Sequence, residues 1–199
     1  MKFLLFIFLV VFTGCSVSNN PQRAQIRKLQ KGIIKEDTSY VYSLPYEVNK
    51  KHLLVQGYFT RLTHKERAAL DFKMKRGTNI CAARGGVVVR VKEDGNRGGL
   101  KKKFRKYTNL VVIRHDDGSF AGYWHLKQNG ALVNVGDTVK QGQVIALCGK
   151  TGYTMFPHLH FIVWKFSSDN QWIQVPTRFK TNKGIMYLHP MHIYGNAGE

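Results

Sequence analysis

The chain has 199 residues, 43% hydrophobic and 12% aromatic, enough for one globular domain with a core plus short appendages. Thirty-one lysines and arginines face 12 acids, a formal net charge of +19, so the partners it suits are polyanions or anionic surfaces: nucleic acid, anionic lipid or an acidic bacterial wall. No solenoid-type repeat divides it, and no CxxC pair offers a cysteine-held zinc.

At the N-terminus, "MKFLLFIFLVVFTGCS" sets one basic residue before an apolar run from Phe3 to Phe12. The run falls short of the roughly 20 residues that span a bilayer and fits a secretory signal. "FTGC" resembles the bacterial lipobox, with Phe12 where Leu is commonest. That resemblance implies a lipoprotein signal peptide over residues 1–14 and lipidation of Cys15, which becomes the mature N-terminus anchored to a membrane of the cell envelope. An ordinary cleaved signal with an incidental cysteine is the alternative. Export argues against nucleic acid as a partner. Residues 15–38 read as a basic tether with one weak helix around Ile26, Leu29 and Ile33. It either faces an anionic membrane surface or is a solvated linker.

From about Tyr40 the pattern changes to short strands and tight turns. "YVYSLPY", "HLLVQGYF", "ALDFKM", "GVVVRVKE", "NLVVIRH", "AGYWHL", "QVIALCG", "HLHFIVWKF" and "WIQVPTRF" read as strands. Turns such as "DDGS" and "VGDTVKQGQ" separate them. The expectation is an all-β domain over residues 39–185, a compact and mainly antiparallel sheet, followed by a surface tail over 186–199. "NRGGLKKKFRKYTN" interrupts two strands and reads as an exposed basic loop. Cys81 and Cys148 read either as two small buried apolar residues or as one disulfide.

Within "FPHLHFIVW", alternation along a strand puts His158, His160, Ile162 and Trp164 on one face and Leu159, Phe161 and Val163 on the other. Two histidines sharing a face can be a hydrogen-bonded pair in a half-buried sheet, or can reach one metal ion. Other metal-competent residues lie nearby in the sequence: His64 and Asp71 flank "KERAAL", and His125 ends "YWHL". A catalytic zinc needs three protein ligands and an open position. It lowers the pKa of water from about 15.7 to about 7, and further histidines can take the proton or stabilise an oxyanion. No HExxH helix is present, so spacing alone leaves the ligand set open.

The runs "THKERAALDFKMKRGTNICAARGGVVV", "NLVVIRHDDGSFAGYWHLKQNGALVNVGDTVKQGQVIALCGKTG" and "PHLHF" together resemble the lysostaphin-type, or LytM-type, zinc endopeptidases of peptidoglycan, in a branch where the first His precedes the Asp by seven residues. The resemblance implies a β-sheet groove with Zn2+ held by His64, Asp71 and His160, and His125 and His158 acting as catalytic groups on water and the substrate carbonyl. It implies hydrolysis of amide bonds in peptidoglycan cross-links or stems. A non-catalytic protein of the same fold that binds wall or activates another hydrolase is the alternative. Ile162 stands where the family commonly has Glu, and Met155 and Phe156 where small residues are usual.

Overall fold

The computed structural model describes residues 21–34, 40–60 and 62–198. The expected signal peptide and the lipidation site Cys15 lie outside the described residues. Helix α1, Pro21–Gln30, comes first and begins on proline, whose fixed φ suits the first helical turn. The strands follow: β1 Val41–Ser43, β2 Lys51–Gln56, β3 Ala69–Lys73, β4 Asn79–Cys81, β5 Gly86–Lys92 and β6 Gly98–Gly99. A 3-10 helix, Lys102–Tyr107, precedes β7 Leu110–Arg114, β8 Phe120–Trp124, β9 Leu126–Ala131, β10 Thr138–Val139, β11 Val144–Cys148 and β12 Gly152–Tyr153. The long strand β13, His158–Phe166, leads to β14 Trp172–Gln174, β15 Arg178–Thr181, β16 Gly184–Met186 and β17 His192–Gly195.

The all-β expectation holds. The large sheet runs β10-β5-β7-β8-β13-β3-β2-β17, with β14 also paired to β13. Every pairing within it is antiparallel. Two three-stranded sheets, β1-β15-β16 and β4-β11-β9, lie against it. The core joins Phe72, Val111, Tyr123 and Phe161 of the large sheet to Ile80, Ile145 and Phe179 of the small ones. The β13 alternation is as expected: Leu159, Phe161 and Val163 enter the core, which leaves His158 and His160 to the opposite face.

Two segments differ from expectation. The C-terminal residues are no surface tail: β17 pairs with β2 as the last strand of the large sheet. Tyr194 is 2% exposed, and the Tyr46 hydroxyl donates to its carbonyl at 2.7 Å. A single buried aromatic can hold so short a strand, because burying such a ring contributes about 1.5–3 kcal/mol. The described part of the tether is likewise docked. Ile26 and Leu29 of α1 are buried, and Gln30 donates to the Leu188 carbonyl, whereas Ile33 lies beyond the helix and is exposed. Among the described residues no helix is long and apolar enough to cross a membrane. Cys81 and Cys148 are buried free thiols, pushed up by burial to about 11 and about 12.

Candidate metal centre

Strand register builds the site as one row across the sheet. Gln56 of β2 faces Asp71 of β3, Asp71 faces His160 of β13, and His160 faces Trp124 of β8. Directly paired residues on one face of an antiparallel sheet hold their Cβ atoms about 4.5–5.5 Å apart, close enough for polar side chains to meet. His158 stands two residues before His160 on the same face. His64 arrives from the loop before β3.

Five residues expected from the sequence converge here. Ligand atoms of His64, Asp71 and His160 all lie within 4.8 Å of one another. His160 Nδ1 is 2.8 Å from Asp71 Oδ1, and His64 Nε2 is 3.2 Å from Asp71 Oδ2. His158 Nε2 lies farther out, 3.7 Å from Asp71 Oδ1. The His125 ring centroid is 4.7 Å from that of His158 and 5.9 Å from that of His160. Simple alternation would turn His125 away from its neighbour Trp124. Its φ of +66° breaks the strand between β8 and β9 and brings the ring back to the site.

Hydrogen bonds fix the imidazole tautomers. His64 Nδ1 donates to the Gly57 carbonyl at 3.2 Å, His125 Nδ1 to the Thr151 carbonyl at 2.7 Å, and His158 Nδ1 to the Phe156 carbonyl at 2.9 Å. A carbonyl only accepts, so in the neutral form of each ring the lone pair is on Nε2. Such backbone partners are the usual way a ligating or catalytic imidazole is oriented.

The donor set fits a metal ion. His64 Nε2 is buried and makes no hydrogen bond. A nitrogen and a carboxylate oxygen 3.2 Å apart can share one cation. The set of two imidazoles and one carboxylate suits zinc. Burial alone pushes the Asp71 carboxyl up, but its contacts with His160 and then His64 outweigh this and keep it an anion. Burial keeps His160 neutral against the opposing pull of Asp71. The His125 ring is pushed down to about 3 by burial and then by the neighbouring His158 and His160, so it too is neutral near pH 7.

The row lies in a groove of about 850 Å³. Gln56, Leu62, Thr63, Arg67 and Trp172 line it, as do Leu100, Arg105, Tyr153, Met155 and Phe156. Four of the rim side chains, Leu62, Leu100, Met155 and Trp172, are large, apolar and between 49% and 77% exposed. Apolar surface gathered around a polar cleft marks a binding site. His115 donates from Nδ1 to the Gly85 carbonyl and is absent from the groove's lining.

Gln56 is a site residue that motif reading missed. Its Nε2 donates to Asp71 Oδ2 at 2.7 Å and to Thr63 Oγ1 at 3.0 Å, while its Oε1 accepts from the Thr63 N–H. It therefore ties the loop before His64 to the strand carrying Asp71. A bulge in β2 between Leu54 and Gln56 aims it. The only signal in the sequence was a polar residue sharing a strand face with Leu54.

A β-sheet groove lined by an aspartate and three histidines, with a fourth histidine buried beside the aspartate, defines a metallopeptidase-like site. The profile of peptidase family M23 matches residues 65–174, and the chain belongs to that family. It is 33% identical over 129 residues to lysostaphin of Staphylococcus simulans, covering 65% of this chain and 22% of that protein. It is 36% identical over 98 residues to the peptidoglycan DD-endopeptidase ShyC of Vibrio cholerae, covering 49% and 20%. The chain thus spans about a quarter of the length of the curated relatives it matches, or less. Among solved structures, the catalytic domain of the prophage-encoded M23 protein EnpA from Enterococcus faecalis, a point mutant, shares the fold with a TM-score of 0.50 and 24% identity, covering 65% of this chain and 92% of that one.

Proposed function

We propose that the protein is a zinc metalloendopeptidase that hydrolyses amide bonds in peptidoglycan cross-links or stem peptides. The observation that carries this reading is the buried Nε2 of His64 set against Asp71, with His160 completing a three-ligand set. Bound there, zinc would supply Lewis acidity and bring the pKa of water from about 15.7 to about 7. His64, Asp71 and His160 are its ligands. His125 and His158 are catalytic groups outside that set. Each holds its Nδ1 proton on a backbone carbonyl and turns Nε2 to the groove, where it accepts a hydrogen bond from water or, once protonated, donates to the oxygen of the scissile carbonyl. Family membership and relatives named as peptidoglycan endopeptidases support the substrate class.

The test is digestion of purified peptidoglycan by the zinc-loaded protein, with released peptides identified by mass. New termini that vanish with a chelator and return with zinc are expected. Unchanged wall in the presence of bound zinc would favour the wall-binding alternative. We further propose a lipid anchor at Cys15 that holds the protein at a membrane of the cell envelope, an inference from "FTGC" after a short apolar run. Cys15→Ala should move the protein from the membrane to the soluble fraction, and identical distribution without lipid in either form would rule the anchor out.

A further inference from the structure

The basic interruption between β5 and β7 is a built wall of the groove. Its base is clamped by Asn109, which is fully buried: Oδ1 accepts from the Gly95 N–H and Nδ2 donates to the Gly95 carbonyl, both at 2.8 Å. The Asn109 N–H donates to Thr151 Oγ1, and the Thr151 carbonyl is the oxygen that orients His125. β6 pairs in parallel with β12, and a Cβ at Gly98 would stand 1.8 Å from the Lys150 carbonyl, so the approach needs glycine. This docking holds Arg105 on the groove wall, its Cζ 5.5 Å from the Tyr153 ring centre. Tyr153 adjoins Thr154, whose hydroxyl touches His158 Nδ1 at 3.1 Å.

Charge on the groove is one-sided. Arg67 lines the groove together with Arg105, and Asp71, already engaged by histidines, is the one acid among the described residues of the lining. The cleft under α1, about 610 Å³, shares Gln56 and Leu62 with the groove and is lined by Arg27 and Lys31, with no acid among the described residues of its lining. Guanidinium groups hold carboxylates through paired, charge-assisted hydrogen bonds. The geometry points to Arg105 as a specificity residue that binds a free carboxylate of the peptide lying in the groove, so that the protein selects acidic, unamidated peptide over its amide.

This inference rests on the peptidase reading for the bond cut but not for the anion bound, and the experiment separates them. Zinc-loaded full-length protein is offered cross-linked wall peptides with free carboxylates and the same peptides amidated with carbodiimide and ammonia. Co-sedimentation with native and amidated insoluble wall is read in parallel. The unmodified protein should show a KM about tenfold lower for the free acid, the size of one charged hydrogen bond. Arg105→Gln should erase that preference with kcat and Tm little changed, and Arg105→Lys should keep part of it. High salt should shrink it, since the Debye length falls from about 10 Å at 0.1 M to about 3 Å at 1 M. Wall binding should follow the same order. An Arg105→Gln protein that still prefers the free acid, or loses equally on acid and amide, overturns the proposal. Arg105-dependent binding without cleavage would keep it and sink the peptidase reading instead.

Discussion

Single side chains carry the sharpest consequences. Asp71→Ala removes the carboxylate that His64 and His160 share, and should abolish both zinc binding and hydrolysis. Full zinc content by elemental analysis would contradict the ligand set. His125→Ala and His158→Ala should keep zinc yet lose about 10² to 10⁴ in cleavage rate, read as turbidity loss of wall suspensions. Gln56→Ala leaves all three ligands but frees Asp71 and Thr63 from each other. Its zinc affinity should fall by about 10 to 100-fold, as on losing a group that orients a ligand, measured by competition with a chelating dye. Asp117 offers a pH signature away from the site. Partial burial pushes its carboxyl up, but hydrogen bonds from Ser119 and Arg84 outweigh this and hold it at about 2. The unfolded value is about 3.9, so the stabilisation is complete above about pH 4 and is lost as pH falls through about 2. The side chain is 52% exposed, so Asp117→Asn should cost less than ~1 kcal/mol at pH 7, and its Tm should converge on that of the unmodified protein near pH 2.

At the scale of elements, the basic insertion is the part most open to perturbation. A side chain at Gly98 meets the Lys150 carbonyl, so Gly98→Ala should release β6 from β12. Trypsin should then cut within Lys102–Tyr107 faster while the sheet survives, and equal cutting rates would show that the wall is not held by that ladder. The sequence made most strands visible because apolar residues alternate in β13 and β-branched residues cluster in β5 and β7. It also offered every histidine of the site and Asp71. What it hid depends on register and contact. Gln56 matters only because a bulge sets it opposite Asp71. Arg105 matters only because a two-residue ladder, Gly98–Gly99 against Gly152–Tyr153, docks its loop, and glycine-rich basic runs look the same whether docked or free. β17 hid for a related reason: "HIYG" has one buried residue, too little pattern to separate a strand from a tail.

Taken whole, the molecule is a cation of +19 whose groove shares that sign. Its binding to an acidic wall should weaken steadily with added salt, read by co-sedimentation, and salt-independent retention would place the attraction in apolar contacts instead. The pairing of β2 with β17 has a further meaning for how the chain reaches its fold. The bond from Tyr46 to Tyr194 spans 148 residues, so the edge beside β2 closes only after residues 192–195 have been made. A chain delivered N-terminus first, by a ribosome or across a membrane, carries that edge unpaired until β17 arrives. Contacts this distant in sequence slow folding, and an open edge is the surface on which nascent chains add to one another. Newly delivered protein should therefore be most prone to self-association in the interval before residues 192–195 emerge.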